Sequence, residues 1–301
     1  MIKLENIHKT FGKYPAISDV SLNIEDSQVF GLVGTNGAGK STMLRMISGV
    51  LRQDSGEITL DGQPVYDSPD IKRQIFFIPD DPFFFPNGNA ADMCSYYRTV
   101  YQNFNPVLFE KMLGDFSLDP KRPVRNYSRG MKKQLAILCG ICSGARYLLC
   151  DETFDGLDPV MRQAVKSIFA DHMSRRGLAP VIASHNLREL EDICDHVGLL
   201  HKGGLILSRD LEDMRLRLQR IQCVFAKDNG EAQALARLEV LNSSTRGRLH
   251  MLTVRASREE VLSCFEKIDT VFFEILPLTL EEIFISETEV AGYDIKNIIL
   301  G

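Results

Sequence analysis

A glycine-rich run followed by lysine and two hydroxyl residues constrains this chain more than any other feature. The run Gly34-Thr35-Asn36-Gly37-Ala38-Gly39-Lys40-Ser41-Thr42 matches the P-loop pattern GxxxxGK[ST]. A compact apolar segment, Val29–Val33, precedes it, and a helix-like segment near Lys40–Gly49 follows it. Glycines allow backbone N–H groups to turn inward around phosphates, and a helix N-terminus adds partial positive charge. The pattern therefore predicts a strand–loop–helix unit that binds a polyphosphate.

Two side chains of this loop carry specific roles. Lys40 supplies a positive charge for the β- and γ-phosphates, and the Ser41 hydroxyl can ligate Mg²⁺. The alternative is an ordinary glycine-rich turn, since the pattern arises by chance in about one chain in a hundred of this length. The strand and helix predicted on either side make that alternative rarer still.

A second apolar strand, Tyr147–Cys150, ends in the carboxylates Asp151 and Glu152. If this strand end faces the P-loop, Asp151 lies beside Mg²⁺ and Glu152 can orient and deprotonate an attacking water. The alternative is a strand that ends in solvated acids, which is common for one acid but rarer for a pair that follows a P-loop.

The segment Asn126–Met131 lies between these two motifs, and with it the chain resembles the ABC ATPases. It is similar to the family's signature motif, LSGGQ, with Ser128 and Gly130 matching, whereas Arg129 and Met131 depart from it. The resemblance implies that this segment caps the γ-phosphate of ATP bound to a second copy. Taken alone, the segment is also compatible with an ordinary helix N-cap.

The resemblance assigns three further residues. His185, which closely follows the strand-like Val181–Ala183, is similar to the family's switch histidine, which contacts the γ-phosphate. Asp80 stands where the family usually has a glutamine that touches Mg²⁺, although it is shorter and anionic. Phe11 falls where the family has an aromatic that stacks on adenine, and a core phenylalanine is the alternative.

Two short motifs have both a family role and a structural one. Asp155–Asp158 resembles the D-loop, which lies along the family's dimer seam, and Asp158 also suits a capped turn before Pro159. Leu278–Phe284 resembles a segment of subunits that export drugs, lipids and polysaccharides, and Thr279 with Glu282 also forms a capping-box pattern.

The alternation of strand and helix signals predicts an α/β fold, a P-loop ABC ATPase core with a helical subdomain and a small C-terminal α+β domain. We place the ATPase domain at residues 1–209, with a helical insertion at about 81–145. A linker helix is expected at 210–220, followed by the second domain at 221–301, which reads as strand, helix, strand, helix, strand.

Composition limits the possible functions. The net charge of −5 argues against a dedicated nucleic-acid binder, and no apolar run approaches the length that spans a bilayer. Seven cysteines are scattered, and the pair Cys139 and Cys142 in an apolar helix-like run favours buried thiols over a redox or metal pair.

These features predict an ATP- and Mg²⁺-dependent ATPase subunit of an ABC transporter, most simply an exporter. We expect a homodimer on the inner face of the cell membrane, cytoplasmic and held there by a separate transmembrane permease, with no nucleic-acid partner. A soluble ABC switch on the ribosome or DNA is the alternative, and an ATP-gated scaffold without hydrolysis is a third possibility.

Overall fold

The computed structural model describes residues 1–191, 193–226, 232, 234 and 236–290, without the side chains of 287–290. It divides into two compact units, the first ending at Ser208 and the second beginning at Arg209. Within the described part of the chain, no helix combines the length and the apolar character that crossing a bilayer requires.

The first unit combines strands of two sheets with helices on either side of them. Its strands are β1 (Ile2–Phe11), β2 (Tyr14–Ile24), β3 (Phe30–Val33), β4 (Ser55–Leu60), β5 (Gln63–Pro64), β6 (Ile75–Ile78), β7 (Tyr147–Asp151), β8 (Ala179–Ser184), β9 (His196–His201) and β10 (Gly204–Asp210), whose last two residues belong to the second unit. Its helices are α1 (Lys40–Ile47), α2 (Pro69–Lys72), α3 (Ala90–Val100), α4 (Pro106–Asp115), α5 (Arg129–Cys142), α6 (Pro159–Arg176) and α7 (Leu187–Glu191).

The larger sheet has the order β10-β9-β3-β8-β7-β6, and its central strands are parallel. Every residue of β3, β7 and β8 is buried, as expected for strands covered on both faces. The carboxyl ends of these three strands meet at one edge, which is where ligands bind in sheets of this kind. The α/β core predicted from the sequence is confirmed.

An antiparallel sheet, ordered β2-β1-β4-β5, packs beside this core. The apolar and polar residues that alternate at the start of the chain are typical of a strand, but the sequence did not predict this sheet. Its inward residues Ile2, Leu4 and Ile17 share one apolar cluster with Phe30 of β3 and Leu44 of α1. Helix α1 therefore packs against strands of both sheets.

Helices α3, α4 and α5 lie inside the segment predicted as a helical insertion. Each begins at a polar cap, because Asn89, Asn105 and Ser128 accept hydrogen bonds from backbone N–H groups three residues later. Cys139 and Cys142 are buried in α5, and burial raises the pKa of Cys142 to about 12, so both thiols pack as small apolar groups.

The second unit is built on an antiparallel sheet ordered β12-β13-β11-β14. Its elements are α8 (Leu211–Arg217), β11 (Leu218–Phe225), β12 (Glu239–Arg246), β13 (Leu249–Arg255), α9 (Arg258–Phe265), β14 (Thr270–Leu276) and α10 (Leu280–Val290). Thr279 and Glu282 form the capping box at the start of α10, since each backbone N–H bonds the other's side chain, at 3.1 and 3.3 Å.

The secondary structure of this unit differs in places from the sequence prediction. The linker helix expected at 210–220 is shorter, because Leu218, Gln219 and Arg220 pair with β13 as the start of β11. Strand β12 was not predicted, since its residues are mostly exposed and polar and show no apolar alternation. The first helix predicted in this unit, over 231–239, is shorter than expected: Ala232 and Ala234 are helical, whereas Ala236 and Arg237 form a turn and Glu239 begins β12, and residues 231, 233 and 235 lie outside the described part of the chain.

Candidate active site

The phosphate-binding loop joins β3 to α1, as the sequence predicts. A Cβ atom on Gly34 would lie 2.5 Å from the Leu200 carbonyl oxygen, so only glycine allows this approach to β9. Gly39, the N-cap of α1, has φ of 106° and lies equally close to β2. The loop is therefore held between the parallel sheet and the antiparallel sheet.

Lys40 is buried inside the loop, with 5% of its side chain exposed. Its Nζ donates hydrogen bonds to the carbonyl oxygens of Gly34, at 2.7 Å, and Thr35, at 3.2 Å. The same ammonium lies 3.3 Å from the Glu152 Oε1 atom. A fixed positive charge thus faces the space in which a bound phosphate would lie.

Ser41 and Asp151 meet across 110 residues of sequence, because α1 begins at the edge of the sheet where β7 ends. The Ser41 hydroxyl donates a 2.9 Å hydrogen bond to Asp151 Oδ1. Burial raises the pKa of the Asp151 carboxyl, and the Ser41 hydrogen bond only partly opposes this. A hydroxyl and a carboxylate at one buried corner are oxygen donors that suit Mg²⁺.

Glu152 lies directly after β7, and His185 directly after β8. The Glu152 carboxylate contacts Lys40 through Oε1, and its Oε2 lies 2.9 Å from His185 Nδ1. The Glu152 side chain is 15% exposed, whereas that of His185 is 49% exposed. A carboxylate fixed between an ammonium and an imidazole can accept a proton from a water at the cavity wall.

The loop opens onto a cavity of about 350 Å³. The cavity is lined by the phosphate-binding loop, residues 35–42, and by Phe11, Tyr14, Ala16, Asp80 and Glu152. Phe11 is 49% exposed, which excludes the alternative of a core phenylalanine. Tyr14 also lines the cavity, and its hydroxyl donates to the Gly37 carbonyl oxygen at 3.4 Å. It was not predicted as a site residue, although its closeness to Phe11 in sequence was a usable signal.

Asp80 lies at this cavity, but its carboxylate is already bonded to cations of α5. Its Oδ1 lies 3.0 Å from both Lys133 Nζ and Arg129 Nη2. Partial burial alone would raise the pKa of Asp80, but Lys133 and then Arg129 hold it below its ordinary value. The sequence did not predict Lys133 as a site residue, although a lysine within the apolar run of α5 was a usable signal.

The signature-like segment forms the tip of α5. Ser128 Oγ accepts a 3.2 Å hydrogen bond from the Met131 N–H, so the N-cap role is present. A Cβ on Gly130 would lie 3.1 Å from the Gly156 carbonyl oxygen, so this tip packs closely on the D-loop-like segment. Asp158 in turn caps α6 by accepting from the Met161 N–H at 2.9 Å. Ser128 and Gly130 are not among the described residues that line the cavity.

A parallel sheet that brings a phosphate-binding loop, two carboxylates and a histidine to one edge defines a P-loop nucleotide hydrolase. Comparison with known proteins shows to which family of P-loop nucleotide hydrolases the chain belongs. The profile of the family described as ABC transporter matches residues 17–155.

Two relatives align with this chain over nearly all of their own length. The lantibiotic transport ATP-binding protein SrtF of Streptococcus pyogenes is 32% identical over 216 residues, which are 70% of this chain and 92% of SrtF. The ABC transporter ATP-binding protein YtrB of Bacillus subtilis is 29% identical over 287 residues, which are 95% of this chain and 98% of YtrB. This chain belongs to the family of ABC transporter ATP-binding proteins and is an ATPase.

Solved structures agree on the fold. An ATP-binding subunit of an ABC transporter superposes with a TM-score of 0.65 at 23% identity, over 71% of this chain and 92% of that one. The dimeric bacterial ABC transporter cassette MJ0796 superposes with a TM-score of 0.64 at 21% identity, over 70% of this chain and 99% of that one.

Proposed function

We propose that this chain is the ATP-hydrolysing subunit of an exporter, in which two copies close on ATP and drive a separate membrane permease. Relatives named for lantibiotic transport, bacitracin transport and lipopolysaccharide export support the direction of transport. The protein would then act on the cytoplasmic face of the cell membrane, bound to its permease. None of these names favours the alternative of a switch on the ribosome or DNA.

One observation supports the paired arrangement: the cavity that surrounds the phosphate-binding loop lacks the signature-like segment of the same chain. Ser128 and Gly130 pack instead against the segment around Gly156. A second copy, related by a two-fold axis, can supply its own Ser128 and helix N-terminus to the open side of the cavity. Each copy would thus complete the other's site.

Nucleotide binding follows from the lining of the cavity. The adenine would stack on Phe11, and the loop N–H groups with Lys40 would hold the phosphates. Ser41 and Asp151 would hold Mg²⁺, which neutralises charge on the β- and γ-phosphates when bound. Asp80 would reach the metal only after exchanging its bonds to cations of α5, so we assign the first contacts to Ser41 and Asp151.

Hydrolysis would depend on Glu152 as the general base. Its carboxylate would accept the proton of the water that attacks the γ-phosphate, while Lys40 balances the charge of the phosphate. His185, 2.9 Å from the same carboxylate, would contact the γ-phosphate and lose that contact after cleavage. Loss of the γ-phosphate removes the bond between the copies, and the pair opens.

A mixing experiment tests the shared site. Lys40→Ala removes the phosphate contact in one chain, and Ser128→Arg blocks the contribution of a second chain, so neither variant alone should hydrolyse ATP. A mixed pair retains one intact site, formed by Lys40 of the Ser128→Arg chain and Ser128 of the Lys40→Ala chain. Equal mixing should therefore restore about a quarter of wild-type hydrolysis, because half of the pairs are mixed.

The control is a mixture of the Lys40→Ala chain with a chain that carries both substitutions, which has no intact site and should stay inactive. Melting temperatures close to that of the wild type would show that the variants are folded. If folded single variants remain inactive after mixing, or if Ser128→Arg alone is fully active, the shared site is refuted.

An aromatic groove of about 320 Å³ beside Asp80 suits the permease. Its wall includes Phe83, Phe85, Tyr96 and Val100, of which Phe83 is 72% exposed. Exposed apolar surface of this kind marks interaction sites, and a helix of a membrane protein would cover it. The test is copurification of the permease from detergent-solubilised membranes of the source cell with tagged wild-type chain.

Phe83→Asp should lose the permease while the isolated chain still hydrolyses ATP. Val107→Asp is the control, because Val107 is also exposed but does not line the groove. Retention of the permease by Phe83→Asp would exclude the groove, and recovery of no membrane protein by the wild type would count against the transporter role.

A further inference from the structure

Lys133 is the most buried charged side chain near the site, and it has no role in the mechanism so far. It lies in the second turn of α5, and 1% of its side chain is exposed. A buried ammonium is costly unless hydrogen-bond acceptors surround it. Two acceptors do so here: the Asp80 carboxylate, at 3.0 Å, and the Glu152 main-chain carbonyl oxygen.

The Glu152 backbone is in an unusual conformation. Its φ is 48°, in the left-handed region that side chains other than glycine rarely adopt and that requires support from the surroundings. Hydrogen bonds provide that support on both sides of the residue. Its N–H donates to the Ala183 carbonyl oxygen at 2.9 Å, and its carbonyl oxygen accepts from Lys133 and from the Asp155 N–H.

We propose that Lys133 is a positioning residue, whose ammonium holds the Glu152 main chain so that the carboxylate points at the attacking water. This inference rests on the proposed role of Glu152 as the general base. The backbone conformation of Glu152 sets the direction in which its Cβ atom leaves the main chain, and therefore where its carboxylate points. A small displacement of a reacting group is enough to cost a large factor in rate.

The contact also links two parts of the molecule. Through Asp80, the same ammonium is bonded to a segment whose residues Pro79 and Pro82 line the aromatic groove. A movement of the Asp80 segment would therefore reach Glu152 through one side chain.

The test measures steady-state ATP hydrolysis by the full chain carrying Lys133→Met, which keeps a similar length and shape without the charge. We expect kcat to fall by about 10- to 100-fold while KM and the Kd for MgATP stay within about twofold, because Lys133 donates to Asp80 and to the Glu152 carbonyl oxygen, which lie outside the phosphate-binding loop. Melting curves and the unchanged Kd would show that the variant is folded.

A second variant separates positioning from charge balance. In Lys133→Met, Asp80 loses one of its two cations, and Asp80→Asn removes that imbalance. The double variant should remain as slow as Lys133→Met, because the Glu152 carbonyl still lacks its donor. Recovery of the double variant to the rate of Asp80→Asn alone would overturn the proposal, and so would a kcat for Lys133→Met within about twofold of the wild type.

The Glu152→Gln variant distinguishes a failure of the positioning role of Lys133 from a failure of the proposed function. If Glu152→Gln abolishes hydrolysis and Lys133→Met does not slow it, the positioning role alone is wrong. If neither slows it, the general-base assignment fails as well.

Discussion

Gly39→Ala tests whether packing against β2 shapes the phosphate-binding loop. A Cβ atom at Gly39 would lie 2.6 Å from Ile17 Cδ1 and 2.7 Å from the Ala16 carbonyl oxygen, both in β2. Gly37 is the matched control, because its φ of 82° is also positive but nothing lies within 4 Å of its added Cβ. The backbone penalty of about 1–2 kcal/mol applies to both positions. Overpacking of about 1–3 kcal/mol applies only to Gly39.

Thermal unfolding without nucleotide measures the difference. For a unit of this size, 1 kcal/mol corresponds to about 2–4 °C, so Gly39→Ala should melt about 2–12 °C below Gly37→Ala. The carbonyl of Ala16 belongs to a paired strand and cannot move aside as the Ile17 methyl can. Equal melting temperatures for the two variants would refute the reasoning, since they would show that β2 does not restrict the loop.

Three further substitutions probe the site. Phe11→Ala should raise KM for ATP by about 5- to 150-fold, from the loss of about 1–3 kcal/mol of stacking, with kcat nearly unchanged; an unaltered KM would exclude adenine contact. Asp151→Asn should abolish hydrolysis yet raise the melting temperature at pH 7 in EDTA, because burial raises the pKa of Asp151 and its ionised form weakens the fold. That gain should disappear below about pH 3.9, where the wild-type carboxyl is protonated in both states, and a lower melting temperature at pH 7 would contradict it. Ser128→Ala should destabilise the isolated chain by about 0.5–2 kcal/mol, measured by urea unfolding, because it removes the cap of α5; no loss would mean that the cap bond is not maintained in solution.

Most of the site could be predicted because it follows buried parallel strands. The runs that became β3, β7 and β8 are short and apolar; the glycine-rich loop follows β3, and the polar residues Glu152 and His185 follow β7 and β8. Parallel strands place their carboxyl ends at one edge, so Lys40, Glu152 and His185 had to converge. The meeting of Ser41 with Asp151 follows from the same rule.

Features that depend on tertiary packing were missed. The antiparallel sheet pairs β1 with β4 across about fifty residues, and no local pattern specifies which strand is the partner. The buried ammonium of Lys133 looks like a polar interruption of an apolar helix until its acceptors are known. Strand β12 carries mostly exposed polar residues, and it is defined by its pairing with β13 rather than by its own pattern.

The structure also changes the meaning of two departures from the family pattern. Asp80 and Arg129 replace a glutamine and a glycine of that pattern, and the sequence gives no reason to consider them together. In the fold they are bonded at 3.0 Å, and Arg129 also lies 3.5 Å from Asp155. Both side chains are well exposed, so their pairing stabilises the fold little, by about 0–1 kcal/mol.

The importance of the pair therefore lies in where it places charge. An unpaired carboxylate at Asp80 would repel a polyphosphate in the cavity that it lines, whereas an unpaired Arg129 at the tip of α5 would attract one. Because Asp80 is bonded to both Arg129 and Lys133, these side chains carry their charge in fixed positions beside the cavity. An aspartate at this position is compatible with ATP binding because α5 supplies its cations, which makes the two departures a single feature of this chain.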